Sequence, residues 1–301
     1  MKAIIKERRG VFLRDIPIPK PGVFDVLIKV VIAAYCRTDG YVAQNKIKTK
    51  VPLVLGHEFS GIIEKVGKKV QRLKKGDRVA IMPILPNKDG HYLGPMLGMD
   101  VGGAFAEYVV VPERAVYKIP DKLSFIEAAY LEPVTSSLAV LKAPINKKQR
   151  GFILGQNRIA KLTQRILDIY GFKSIKMIAP DKLKNIPSNS YDFAIETLVT
   201  TKTMSELNRI IKPGGIIILK SRQFSPVEIS IGKIVQKDMK LFGTYYGDFQ
   251  KSIDLLVSKK LKVSDIFGPA LGLQEAVKIL KGKIDGYEEK KIFFQVNSCA
   301  E

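Results

Sequence analysis

The chain has 301 residues, enough for one or two domains, and 46% of them are hydrophobic, enough for a sizeable core. Lys and Arg number 50 against 29 Asp and Glu, a net charge of +21. The excess is scattered in short clusters such as Lys68-Lys69, Lys147-Lys148 and Lys259-Lys260, with no basic tail and no aromatic-interleaved basic segment, which argues against nucleic acid as the primary partner. No apolar run reaches the roughly 18 residues of a membrane span, and MKAIIKERRG lacks the apolar stretch of a secretory leader. Two cysteines, Cys36 and Cys299, exclude a disulfide framework. The expectation is a cytosolic protein.

The first 110 or so residues read as β-rich. Residues 26–34, 60–66, 77–82 and 105–111 are short β-branched runs bounded by turn residues, and 17–22 (PIPKPG) is a loop by composition. Near residue 124 the pattern changes: Ser124 and Glu127 have the capping-box spacing, and a helix follows through Tyr130. From 151 strands and helices alternate. Strands are expected at 151–155, 175–179, 191–195 and 216–219. A helix is expected at 158–170, where Ile159, Leu162, Ile166 and Ile169 share one face, and another from Met204 to Ile211, stopped by Lys212-Pro213-Gly214-Gly215. Helices at 250–258 and 273–281 and a closing strand at 292–296 complete the reading. Alternating elements imply a parallel sheet with right-handed crossovers.

Among the chemistry-bearing residues, Cys36 and His57 each follow an apolar stretch near a turn, Glu58 adjoins His57, and Glu132 begins a turn with Pro133. Thiolate, imidazole and carboxylate are the ligand types of zinc, and a catalytic zinc takes about three of them plus an open position. Spacing alone does not bring the four together. A lone Cys is more often a small core residue, and a lone His more often a hydrogen-bonded structural one.

The segments GHEFSG (56–61, continuing to Gly67), KGDRV (75–79), GGAFAEY (102–108) and Leu131-Glu132-Pro133 resemble the markers of the zinc-dependent medium-chain dehydrogenases, and the resemblance runs over nearly the whole chain. It implies an α/β protein with a GroES-like β-rich catalytic domain and a shortened Rossmann-type doubly wound parallel sheet. The domains would be 1–145 with 268–301, and 146–267. It implies zinc ligands at Cys36, His57 and Glu132, with Glu58 as a carboxylate that binds or exchanges at the metal. Glu132 stands where the polyol and sugar branch has Glu and the alcohol branch Cys. Thr38 matches a proton-relaying hydroxyl and Arg37 a residue that meets the cofactor pyrophosphate. Asp39 is a candidate to orient His57, and Glu64 to sit behind the metal; a solvated carboxylate is the alternative for both. The family's structural zinc lobe needs four close cysteines, and residues 82–95 contain none, so a second zinc is not expected. His91 falls in this stretch and reads as a solvated loop residue.

The cofactor signal is less regular. A dinucleotide turn places glycines between a strand and a helix so that backbone N–H groups meet the pyrophosphate. In GQNRIA (155–160) Gly155 holds the first position, Asn157 replaces the second glycine and Ala160 the third. Any side chain at 157 intrudes where the pyrophosphate approaches. The acid expected to hold the ribose is missing near Ala179 and Pro180, while Asp181, Lys182 and Lys184 follow. That pattern leans to NADP over NAD. Glu196-Thr197 resembles a further cofactor-side marker. The expected function is a zinc-dependent oxidoreductase moving a hydride between NAD(P) and a small alcohol, polyol or sugar, in a homo-oligomer. The alternative is a non-catalytic or repurposed relative with a degenerate cofactor site.

Overall fold

The N-terminal segment carries a short apolar run on either side of Gly10, Ala3-Ile4-Ile5 and Val11-Phe12-Leu13, and it folds as a hairpin of β1 (Lys2–Glu7) and β2 (Gly10–Asp15). β3 (Asp25–Ala34) leads into α1 (Arg37–Ala43), then β4 (Leu53–Val54), β5 (Glu58–Val66), β6 (Arg78–Ile81), β7 (Tyr108–Pro112) and β8 (Val116–Lys118). α2 (Phe125–Ala129) starts at the Ser124 cap, whose hydroxyl accepts from the Glu127 N–H, and α3 (Leu131–Leu138) follows. The parallel region comprises β9 (Gly151–Leu154), α4 (Arg158–Ile169), β10 (Lys176–Ile178), β11 (Tyr191–Glu196), α5 (Thr201–Ile210), β12 (Ile211–Leu219), α6 (Ile231–Gln236) and β13 (Lys240–Gly243). The chain closes with α7 (Phe249–Val257), β14 (Phe267–Leu271), α8 (Leu273–Leu280) and β15 (Lys291–Gln295). This computed structural model describes residues 1–85, 94–222, 225–282 and 290–298. His91 and Cys299 lie outside them.

Two compact units emerge: Met1–Glu132 with Phe249–Glu301, and Pro133–Asp248. The sequence reading puts the joins at 145/146 and 267/268. The first join instead falls inside α3, where no change of composition marks it.

The first unit is a β-rich body. A sheet ordered β14-β15-β3-β5-β6-β8, with β7 also on β3, lies beside the three-stranded sheet β2-β1-β4. Its strands turn apolar residues inward: Val26, Ile28, Val30, Phe59, Ile63, Val79 and Phe294 form one buried cluster with Phe105. β15 pairs antiparallel with β3, so the C-terminal strand completes the sheet begun by the N-terminal half.

The second unit is a five-stranded parallel sheet ordered β10-β9-β11-β12-β13. Strands buried on both faces read as near-continuous apolar runs, as Phe152-Ile153-Leu154 and Ile216-Ile217-Ile218 do. After β9 the chain goes first to β10 on one side and then to β11 on the other. The crevice at the carboxyl ends of β9 and β11 is therefore the switch point, where such sheets bind ligands.

Two local expectations are corrected. Glu132 and Pro133 do not form a turn; they lie in the first turn of α3, where proline forfeits no helical hydrogen bond. Lys212–Gly215 is not a turn between helix and strand; it lies within β12 and bulges out between the Tyr191–Ile211 and Phe193–Ile216 pairs, with Gly214 at φ +73°. Between β10 and β11 the chain makes only a 3-10 turn over Pro180–Asn185, which accounts for the narrow sheet.

Candidate functional site

Cys36 ends the apolar run of β3 and precedes α1, whose first turn holds Arg37, Thr38 and Asp39. The carboxylate of Asp39 accepts the Cys36 backbone N–H at 2.9 Å and so fixes the entry to the helix. Its other oxygen lies 2.9 Å from His57 Nδ1. One carboxylate thus positions both residues. His57 reaches the site because Gly56 turns the chain at φ +96°. A Cβ there would lie 2.4 Å from the Phe105 ring, so the turn requires glycine.

The ligand atoms of Cys36, His57 and Glu58 all lie within 4.8 Å of one another. His57 and Glu58 are fully buried. With Nδ1 committed to Asp39, the Nε2 of His57 is buried and has no hydrogen-bond partner. A buried polar atom left in this way costs free energy unless something binds it. Burial works against charge on both Cys36 and His57, but each favours the charged form of the other. Opposing its burial, His57 brings the Cys36 thiol down to about 7. Asp39 and Cys36 likewise outweigh burial at His57 and raise the imidazole above its ordinary value. Burial pushes Glu58 well above the usual carboxylate range against the pull of Lys291, with Cys36 and Glu132 adding to the rise.

Lys291, at the start of β15, was not singled out by sequence. It is buried, and its ammonium forms an ion pair with Glu58 Oε2. The available signal was indirect: a carboxylate buried beside a thiolate needs a cation, and Lys291 opens an apolar strand on the same face as Phe293.

The other expected residues sort clearly. Thr38 is buried in the first turn of α1, and Arg37 beside it is exposed. Glu132 is buried and close enough to act on Glu58, yet it is not one of the three residues whose ligand atoms cluster. Glu64 is a surface residue paired with Lys75 at 2.7 Å, so it does not stand behind the cluster; the period-2 alternation of β5 turns it outward.

At the cofactor turn, Gly155 adopts φ +110° and a Cβ there would meet Thr197 Oγ1 at 2.6 Å, so the first glycine is required. Ala160 is buried against the sheet in the third position. Asn157 behaves differently from a glycine: it caps α4, its Oδ1 accepting from Ile159 N and Ala160 N, both at 3.0 Å. Asp181 and Lys182 are exposed beyond β10 and pair with each other at 3.4 Å. Glu196 is buried, and its Oε1 accepts from Lys220 N and Ser221 N, both at 2.8 Å, an arrangement that ties β11 to the end of β12.

Residues 21–121 match the alcohol dehydrogenase GroES-like domain. The chain is 27% identical to the D-xylulose reductase of Saccharomyces cerevisiae, with 92% of each chain covered. It is 40% identical to the L-threonine 3-dehydrogenase of Bacillus velezensis over 46% of this chain and 44% of that one. The crystal structure of 2R,3R-butanediol dehydrogenase from Bacillus subtilis shares the fold, with a TM-score of 0.85 at 22% identity, covering 98% of this chain and 99% of that one. The chain thus carries an alcohol dehydrogenase GroES-like domain and is similar over most of its length to a D-xylulose reductase.

Proposed function

We propose that this protein is an NAD(P)-dependent, zinc-dependent dehydrogenase of small alcohols, polyols or sugars. The observation that carries the reading is the cluster of half-buried Cys36 with buried His57 and Glu58, with His57 Nε2 left unpartnered. Thiolate, imidazole and carboxylate donors fit zinc, and the Asp39 bond to His57 is the outer hydrogen bond that metal-binding imidazoles carry. Cys36, His57 and Glu132 would hold the ion, with Glu58 near or exchanging. Bound there, zinc supplies Lewis acidity toward a substrate oxygen, and the nicotinamide supplies the hydride chemistry.

The chain's own residues do the rest. Asp39 fixes the imidazole and the start of α1 together. Lys291 pairs with Glu58 and offsets part of the cost of burying that carboxyl. Thr38, two residues from Cys36, supplies the hydroxyl through which the substrate proton leaves. Relatives named for a keto sugar, a hydroxy amino acid and a diol support the substrate class. The missing acid after β10, with Lys182 and Lys184 nearby, favours NADP over NAD. The reading includes a single catalytic zinc, a cytosolic setting and a homo-oligomer; among the described residues no helix is long and apolar enough to cross a membrane.

The test is oxidation of a panel of alcohols, diols and sugar alcohols by zinc-loaded protein, followed by nicotinamide absorbance with NADP and with NAD. Turnover that disappears in Cys36→Ser and Thr38→Ala supports the reading. Folded, zinc-loaded protein that turns over no member of the panel with either nucleotide counts against it. The second reading, a relative without cofactor chemistry, is favoured by one observation, the side chain of Asn157 at the dinucleotide turn.

A further inference from the structure

In the observed conformation the turn from Gly155 to Ala160 does not fit a dinucleotide. The donors that a helix N-terminus offers to a phosphate are the backbone N–H groups of its first turn. Here the Ile159 and Ala160 N–H groups are already taken by Asn157 Oδ1, at 3.0 Å each. The other end of the same carboxamide reaches across the switch point: Asn157 Nδ2 donates to Thr197 Oγ1 at 3.0 Å and to the Thr197 carbonyl at 3.3 Å. Thr197 is held in turn, its hydroxyl donating to the Leu154 carbonyl at 2.7 Å. Leu154 and Glu196 are paired across β9 and β11, and Gly155 and Thr197 follow them. One side chain therefore fills the crevice between the two strand ends and satisfies the helix that faces it.

We propose that Asn157 is a built-in occupant of the phosphate seat, which the dinucleotide must displace to bind. Its carboxamide oxygen stands in for a phosphate oxygen on α4, and its amide nitrogen latches the seat to Thr197. The inference rests on the reading of this protein as NAD(P)-dependent. Displacement requires only rotation of the Asn157 side chain, because the backbone at 157 is extended, with φ −75° and ψ 175°, and carries no strain that a glycine would relieve. The cofactor-free protein gains stability from the same contacts that the cofactor loses. Affinity and cofactor-free stability are therefore set against each other at this residue.

That opposition is the test. Kd for NADPH and for NADH is measured by nucleotide fluorescence on the full, zinc-loaded chain, alongside the melting temperature without nucleotide. Asn157→Gly should bind about fivefold tighter, chiefly the worth of the lost amide bonds to Thr197, since glycine caps a helix nearly as well as asparagine, while melting lower. Asn157→Asp keeps the helix cap but sets a negative charge in the seat, and should bind at least about tenfold more weakly. Thr197→Val removes the hydroxyl latch and should tighten binding about threefold, in line with one neutral hydrogen bond. This last variant keeps Asn157 and the cap, so it carries the test should the glycine variant fail to fold. Nucleotide binding by Asn157→Gly where the wild type shows none supports the proposal in its strongest form. Wild-type affinity in folded Asn157→Gly and Thr197→Val, or weaker binding together with lower stability in those two, overturns it and leaves the proposed function standing. Binding of nucleotide by none of the proteins overturns both.

Discussion

The Lys291 ammonium and the Glu58 carboxylate form a buried ion pair, although one opens the last strand of the chain and the other opens β5. Both strands lie beside β3, which brings them to the cluster from opposite sides. Removing one member of such a pair leaves an uncompensated buried charge and costs about 3–5 kcal/mol. Lys291→Ala should therefore lower the unfolding free energy by that amount, as read by denaturant titration. The Glu58→Gln/Lys291→Met double variant should recover most of the loss. A double variant that loses as much as Glu58→Gln and Lys291→Met lose separately, added together, would show that the pair is not coupled.

Asp39 bonds to the Cys36 backbone and to the His57 ring, so its effect on metal should exceed that of any surface carboxylate. Outer hydrogen bonds of this type are worth about 10- to 100-fold in metal affinity. Asp39→Asn should weaken zinc binding by a factor in that range in competition with a chromophoric chelator, whereas Glu64→Gln, on the surface, should leave it unchanged. His57→Ala should hold substoichiometric zinc by metal analysis. Full zinc occupancy in folded His57→Ala protein would remove this residue from the site.

Much of this was legible in the sequence, and the limits have physical causes. The strands of both units were readable because the apolar runs of β3, β9 and β12 are buried. The chemistry of Cys36 and His57 was readable through the segments that carry them. Glu132 reads as a turn residue because a proline follows it, but proline breaks helices only in their interior, and Pro133 falls in the first turn. The hairpin of β1 and β2 and the short α1 were not read: seven residues from Arg37 to Ala43 offer too little period to see, and this helix is set by the Asp39 contact. Lys291 was illegible for another reason. Its role exists only through a partner at the other end of the sequence. At Asn157 the departure from glycine was visible, but that the side chain would take up the helix donors was not, because the same residue in another rotamer would leave them free.

Asp192 ties the start of β9 to the β12 bulge: it accepts from Arg150 N at 2.7 Å and from Lys212 Nζ at 2.8 Å. Partial burial pushes its pKa up, but the Lys212 and Arg150 bonds outweigh that and hold it below the ordinary carboxylate value. A carboxylate whose folded pKa is depressed binds fewer protons folded than unfolded, so stability rises with pH across that interval. The contribution is complete above the unfolded value, about 4, and is lost as pH falls through the folded one. Asp192→Asn should therefore lower stability at neutral pH and flatten the acid limb of a stability–pH curve. An acid limb unchanged in slope would show that other carboxylates carry it.

Gly56 offers the sharpest test of how the fold positions the metal ligands. At φ +96° a residue with a Cβ is strained by about 1–2 kcal/mol. The added carbon would also lie 2.4 Å from the Phe105 ring and 2.7 Å from its backbone nitrogen. The ring is fully buried in an edge contact with Phe294, at 5.1 Å between centroids, so it has little room to yield. Overpacking of this type adds about 1–3 kcal/mol. Gly56→Ala should then lose about 2–5 kcal/mol of unfolding free energy. Because the next residue is His57, the strain should also displace the imidazole from Asp39. Zinc affinity should fall even in protein that remains folded at low temperature, and added zinc should restore less thermal stability than it does in the wild type. A variant that is destabilised yet binds zinc with wild-type affinity would show that Gly56 serves packing alone and that Asp39 by itself holds His57 in place.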